Sequence, residues 1–227
     1  MLLAASFPAF AEPGVIYATS SGLPAYDQDP FGGNPFASAL IATLAEEQRD
    51  RPINSIARIE ALTIGNSGGE QFPDTRYAEH TRGLAPLPGE RAVALVAVFA
   101  DYGDDAGLAS LPGAAFDADR VSKALSAAGY EVTVVIAATG QEYLTSLENF
   151  SAQAKLAERS LMYTTGHGFE VDKSIFIIPP EAEENEAILE ASIPLADIRT
   201  TLASAPNTLL LYAGCRDNPL GLSLKKP

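Results

Sequence analysis

The sequence predicts an α/β fold: a mostly parallel central sheet with helices on both faces, arranged as three α/β/α layers. Three observations carry this expectation. Strand-like and helix-like segments alternate from Arg91 onward, and RAVALVAVFAD is an apolar run of strand length. The 227 residues suit one substantial α/β domain better than two. Alternation calls for right-handed β-α-β crossovers, and an unbroken apolar run marks a strand covered on both sides.

The elements follow in order. GVIYATSSG is a short β-rich run closed by small turn-formers. PFASALIATLAEEQ repeats Phe36, Ala39, Leu40 and Leu44 at helical spacing, with Asn34 before Pro35 as its N-cap. INSIARIEALTI reads as a second amphipathic helix with Ile53, Ile56, Ile59, Leu62 and Ile64 inward. GNSGGEQFPDTRYAEHTRGLAPLPGE is rich in Gly, Pro and polar residues and reads mostly as connector. After the buried strand at Arg91, AAFDADRVSKALSAAG is a helix that Asp117 starts or caps and Gly129 ends. YEVTVVIA is a strand, and TGQEYLTSLENFSAQAKLAE is a helix capped by Thr139. SLMYTTGHG and SIFIIPPE are strands, IPLADIRTTLASA a helix, and NTLLLYAGC a last buried strand.

Composition narrows the function. A formal net charge of −14 argues against nucleic-acid binding, which needs clustered Lys and Arg, and favours cationic partners such as basic peptides. One cysteine excludes an intrachain disulfide, and no C-x-x-C or His-rich tract suggests zinc. No apolar run reaches the roughly 18 residues of a membrane span. MLLAASFPAFAEPG bears two readings, a signal segment over residues 1–11 or a lead-in to the strand at Val15. The compartment therefore stays open between cytoplasm and periplasm or exterior.

In an open parallel sheet, ligands gather beyond the carboxyl ends of the strands. His167, between two glycines, follows one such strand, and Cys215 follows another. Each alone is more often structural: a lone cysteine fills cores, and a lone histidine in a glycine turn shapes the turn. Together on two strand ends they form a nucleophile and a proton acceptor, because a free thiol is only a few per cent thiolate at neutral pH. The backbone N–H groups of Gly168 and Cys215 are candidates for holding an oxyanion. His80, in the polar connector, reads as a solvated surface residue.

TTGHGFE resembles the segment that carries the catalytic histidine in caspase-like peptidases, including metacaspases and bacterial orthocaspases. LLLYAGCRDNP resembles their nucleophile segment, commonly D-A-C-R-N-N-P in bacterial members. The 48 positions from His167 to Cys215 agree with the spacing of about 50 in a caspase signature. RAVALVAVFADYGDDAGLASLPGAAFDADRVSKALSAAGYEV resembles the family's first strand and helix. The resemblance implies a caspase-haemoglobinase fold and a cysteine endopeptidase acting on polypeptides, as monomer or homodimer.

The front of the chain resembles what normally follows the nucleophile. VIYATSSGLPAYDQDPFGGNPFASALIATL is similar to the strand, binding loop and helix of the small subunit. A circular permutation is therefore expected within one domain over residues 1–227. Residues 1–75 are small-subunit-like, 76–90 are a linker, and 91–220 are large-subunit-like with the His/Cys pair. The alternative is a fragment spanning two tandem copies. The resemblance puts Tyr26, Asp27 and Ala213 in the substrate-binding region. Asp27 reverses the charge of the arginine with which animal caspases hold an aspartate, which implies a basic P1 residue; its other reading is turn formation beside Pro30. Ala213 stands where metacaspases carry an acid. No cofactor is expected, although DYGDD at 101–105 offers carboxylates for calcium as readily as for a turn. Arg216 and Asp217 are expected to orient the nucleophile loop. A catalytically silent interaction module of the same fold is the competing reading, supported by Ala213 and Gly214.

Overall fold

A computed structural model describes residues 13–47, 54–78, 83–103, 107–182, 187–219 and 221–224. Ile53 and His80 lie outside the described residues. The central sheet has six strands: β1 (Gly14–Tyr17), β2 (Asp74–Tyr77), β3 (Ala92–Val98), β4 (Glu131–Ile136), β5 (Arg159–Thr165) and β9 (Thr208–Tyr212). Their spatial order is β2-β1-β9-β5-β3-β4. Every neighbouring pair is parallel except β1 with β2. A second, antiparallel sheet joins β6 (Gly168–Val171), β7 (Ser174–Ile177) and the two-residue β8 (Ile193–Pro194).

Period-two alternation divides the strands between two cores. Val93, Leu95, Met162, Leu210 and Tyr212 face α4 (Gly140–Ala154) and α6 (Leu195–Leu202), with Tyr143, Phe150 and Ile198 packed against them. Ala94, Val96, Leu161, Tyr163 and Leu211 face α1 (Pro35–Glu47), α2 (Ser55–Asn66) and α3 (Pro112–Ala128), meeting Phe36, Leu40, Ile59 and Val121. All residues of β3, β5 and β9 are buried, as strands covered on both faces must be. The three-layer α/β/α expectation is met. A short α5 (Ile188–Ala191) lies before β8.

Several caps follow the sequence reading. Asn34 Oδ1 accepts the N–H of Phe36 at 2.8 Å, and Thr139 Oγ1 accepts that of Glu142 at 3.2 Å. Gly129 ends α3 with φ of +106°, where a side chain would be strained. Two details differ. β2 lies inside the presumed connector, because its four residues gain a partner only when β1 is beside them. Asp117 sits a full turn inside α3, which begins at Pro112. Its buried carboxylate accepts the N–H of Asn34 at 2.9 Å and pairs with Arg120 at 2.6 Å, so it joins the start of α1 to α3 instead of capping its own helix. Burial raises its pKa to about 6 against the opposing pull of Arg120.

Leu210 is fully buried in β9, between β1 and β5. Leu210→Ala should lower stability by about 2–5 kcal/mol, read as a shift of the urea midpoint at constant slope.

Candidate active site

β5 and β9 are adjacent and parallel, with Thr164 opposite Tyr212. Three residues beyond that pair the two chains reach His167 and Cys215, and both line one cavity. The chains stay close beyond the ladder. Ala213 donates its N–H to the Thr164 carbonyl at 2.8 Å, and Thr165 Oγ1 donates to the Ala213 carbonyl at 3.2 Å. Glycine is required at this crossing. A Cβ on Gly168 would lie 2.1 Å from the Tyr212 hydroxyl, and one on Gly214 2.5 Å from it. That hydroxyl donates to the Cys215 carbonyl at 3.1 Å.

The imidazole of His167 is held from two sides. Its Nε2 lies 2.7 Å from the Ala109 carbonyl. A carbonyl only accepts, so Nε2 carries the proton and Nδ1 is left as the basic nitrogen. The Tyr102 ring meets the imidazole edge-on, with centroids 4.6 Å apart. Tyr102 Oη accepts the backbone N–H of His167 at 2.8 Å and donates to the Ile178 carbonyl at 2.9 Å. Burial pushes that phenol well above its ordinary pKa, so it stays a donor. Neither Ala109 nor Tyr102 was expected from the sequence, and a backbone carbonyl gives no residue-type signal to find.

Cys215 is half-buried beneath the loop 23–27. Its Sγ accepts the N–H of Ala25 at 3.3 Å and lies 3.5 Å from the Ala25 carbonyl. Burial pushes the thiol pKa up, the Ala25 N–H pulls it down, and Asp217 pushes it up again. The net direction, upward, favours the thiol over the thiolate. Arg216, which follows it, points into the protein. Its guanidinium pairs with Glu170 at 2.8 Å and Asp74 at 3.2 Å, and lies 4.3 Å from the centre of the Tyr17 ring. Asp74 is held at about 2, first by its hydrogen bonds with Arg76 and then by those with Arg216.

The three residues read from the sequence as substrate-binding have distinct surroundings. Ala213 is buried in the core that faces α1 and α3. Tyr26 is exposed, and its hydroxyl donates to Glu70 at 2.6 Å. Asp27 accepts the N–H groups of Gly113 and Ala114 at 2.9 and 3.0 Å. Leu111 supplies no side-chain cap to α3, so a residue far away in sequence supplies it. This role accounts for Asp27 without any turn beside Pro30. Gln71, fully buried, holds the loop by accepting the N–H of Tyr26 and donating to the Ala18 carbonyl.

His167, Gly168 and Cys215 line one cavity, together with apolar side chains from five segments. Asp101 Oδ1 accepts from Gly103 N–H and Ser110 Oγ, ordinary turn bonds. Among the described residues no cluster of three or more His, Cys, Asp or Glu is placed to hold a metal ion; Asp104 and Asp105 lie outside them. No described helix is long and apolar enough to cross a membrane.

The model of the caspase domain, peptidase family C14, matches residues 91–225. The chain belongs to the caspase-domain family. Its mostly parallel sheet between helical layers is the α/β architecture of that family. The match begins just before β3 and runs beyond Cys215, leaving β1, α1, α2 and β2 outside it. No curated protein matches the chain.

A thiol whose pKa is raised should react slowly at neutral pH. Alkylation of Cys215 by iodoacetamide should be slower than that of free cysteine at pH 7.5. It should climb roughly tenfold per pH unit through pH 9. A rate that levels off below pH 8 would show instead a resting thiolate beside a charged imidazole.

Proposed function

We propose that the protein is a cysteine endopeptidase in which Cys215 attacks the scissile carbonyl and His167 manages the protons. The observation that carries this reading is the one cavity that His167 and Cys215 line beyond the adjacent strands β5 and β9, with Ala109 fixing the imidazole tautomer. The sequence of steps follows from the groups. Nδ1 of His167 takes the Sγ proton, and sulfur bonds to the carbonyl carbon. The N–H groups of Gly168 and Cys215 receive the developing oxyanion. The imidazolium then protonates the departing amine, leaving a thioester. Water, giving a proton to His167, attacks the thioester and releases the acid and the thiol. Membership of a peptidase family supports protein substrates.

We read residues 1–75 as the small-subunit part of a permuted domain. Its β1 pairs in parallel with the nucleophile strand β9, from Gly14 opposite Leu209 to Tyr17 opposite Tyr212. A basic P1 residue is our reading of Asp27 and the overall charge of −14. Each Asp27 oxygen spends one lone pair on α3 and keeps another for a guanidinium or ammonium group.

One observation favours the second reading, an interaction module without turnover. The Ala25 backbone lies on the sulfur, and the thiol pKa is raised. A panel of fluorogenic peptides with Arg, Lys or Asp at P1 separates the two. Cleavage after Arg or Lys should exceed cleavage after Asp, and Cys215→Ala should reduce it roughly a thousandfold or more. No thiol-dependent cleavage of any peptide, with or without calcium, supports the module.

Asp27 offers a sharper test of the P1 reading. Asp27→Ala should cost about 1 kcal/mol through the lost cap, whereas Asp27→Asn keeps an acceptor and most of that stability. If the charge selects P1, Asp27→Asn should still lower the Arg-to-Asp cleavage ratio. A ratio unchanged in a stable Asp27→Asn protein would confine Asp27 to the helix.

A further inference from the structure

The cavity beside Cys215 extends past the imidazole between elements that the steps above do not use. Its apolar walls are Leu108, Phe169, Ile178, Ile188 and Leu222. These come from the loop before α3, β6, the end of β7, α5 and the segment after the nucleophile. Four of the five walls are held independently of any ligand. Phe169 stacks on Phe176 with centroids 5.2 Å apart, and the N–H of Ile178 donates to the His167 carbonyl at 2.9 Å. Ile188 is fully buried. Leu222 is tied down by Asn218, whose side chain accepts its N–H at 2.9 Å and donates to its carbonyl at 2.8 Å.

Direction decides what such a cavity takes. A tetrahedral centre on Sγ carries an acyl arm and an amine arm, and the amine must lie against the group that protonates it. His167 and its neighbour Gly168 form part of the wall. The loop 23–27, which covers the sulfur through Ala25, forms none of it among the described residues. The cavity therefore lies on the side of the departing amine. Its space is about 140 Å³. A cavity of roughly that size lined by Leu, Ile and Phe stays dry and accepts a molecule like benzene. Asp217 also lines it, and its carboxylate repels a second one.

We propose that this cavity is a specificity subsite for the residue immediately after the scissile bond, P1′, and that it selects a branched aliphatic or aromatic side chain and rejects an acidic one. The inference rests on the Cys215/His167 peptidase reading. It adds a second determinant, on the opposite side of the bond from Asp27.

The test uses internally quenched peptides identical except at P1′, built on the P1 residue that the fluorogenic panel selects. With the full chain, kcat/KM for Leu or Phe at P1′ should exceed that for Gly by roughly tenfold or more, with Asp the poorest. Filling the cavity with Leu222→Trp, or separately Leu108→Trp, should bring the Leu-to-Gly ratio close to one. Thiol-dependent cleavage that is indifferent to P1′ would overturn the subsite and leave the Cys215/His167 reading standing. So would a Leu preference that persists in both tryptophan variants. If none of these peptides, whatever stands at P1′, is cleaved in a Cys215-dependent way, the peptidase reading falls and the subsite with it.

Discussion

A guanidinium group removed from water is tolerable only when its charge and its N–H groups are satisfied. Arg216 is such a group, only 7% exposed along its side chain. Glu170 comes from β6, Asp74 from β2, the Thr19 carbonyl from the turn after β1, and the Tyr17 ring from β1 itself. Glu170 also accepts from Ser21 at 2.7 Å. One side chain thereby joins the residue after the thiol to both sheets and to the front of the chain. Removing one partner of a buried pair costs about 3–5 kcal/mol, since the other charge stays behind. The position of Cys215 is set less by its own contacts than by this neighbour.

The same economy holds around the imidazole. A backbone carbonyl fixes its tautomer, and a tyrosine hydroxyl holds its main chain. Neither requires a third charged residue. This fits a chain with two histidines and one cysteine, in which few side chains are free for acid–base work. The loop over the sulfur is anchored by bonds between side chains and backbone: the Gln71 and Asn34 amides hold the Tyr26 main chain, and the Asp27 carboxylate holds the helix end at Gly113.

Much of this was legible in the sequence because it follows from residue type. The unbroken apolar runs of β3, β5 and β9 announce strands covered on both faces, and Thr139 and Gly129 announce helix ends. The glycines at 168 and 214 sit at a crossing where the Tyr212 hydroxyl leaves no room for a Cβ, and Gly166 is crowded by Tyr102 and Phe99. What stayed hidden depends on three-dimensional neighbours. Ala109 acts through its carbonyl. Asp27 caps a helix that begins 85 residues later at Pro112, a partnership that loop composition cannot express. β2 is four residues long and looks like connector until β1 is placed beside it. Tyr102 lies in an acidic, glycine-containing stretch, where a turn is the obvious reading.

The contact between Ala25 and the Cys215 sulfur joins residues 190 positions apart. The β1–β9 ladder beside it spans a similar separation. Bringing such distant segments together costs the most loop-closure entropy, and contacts of this kind are the slow ones in folding. The segment from β3 to β9 contains shorter crossovers and closes sooner. On that ground the histidine side of the site is expected to form within the earlier unit, with the sulfur uncovered until the front strand docks. The cover over the thiol thus doubles as a marker of completed folding.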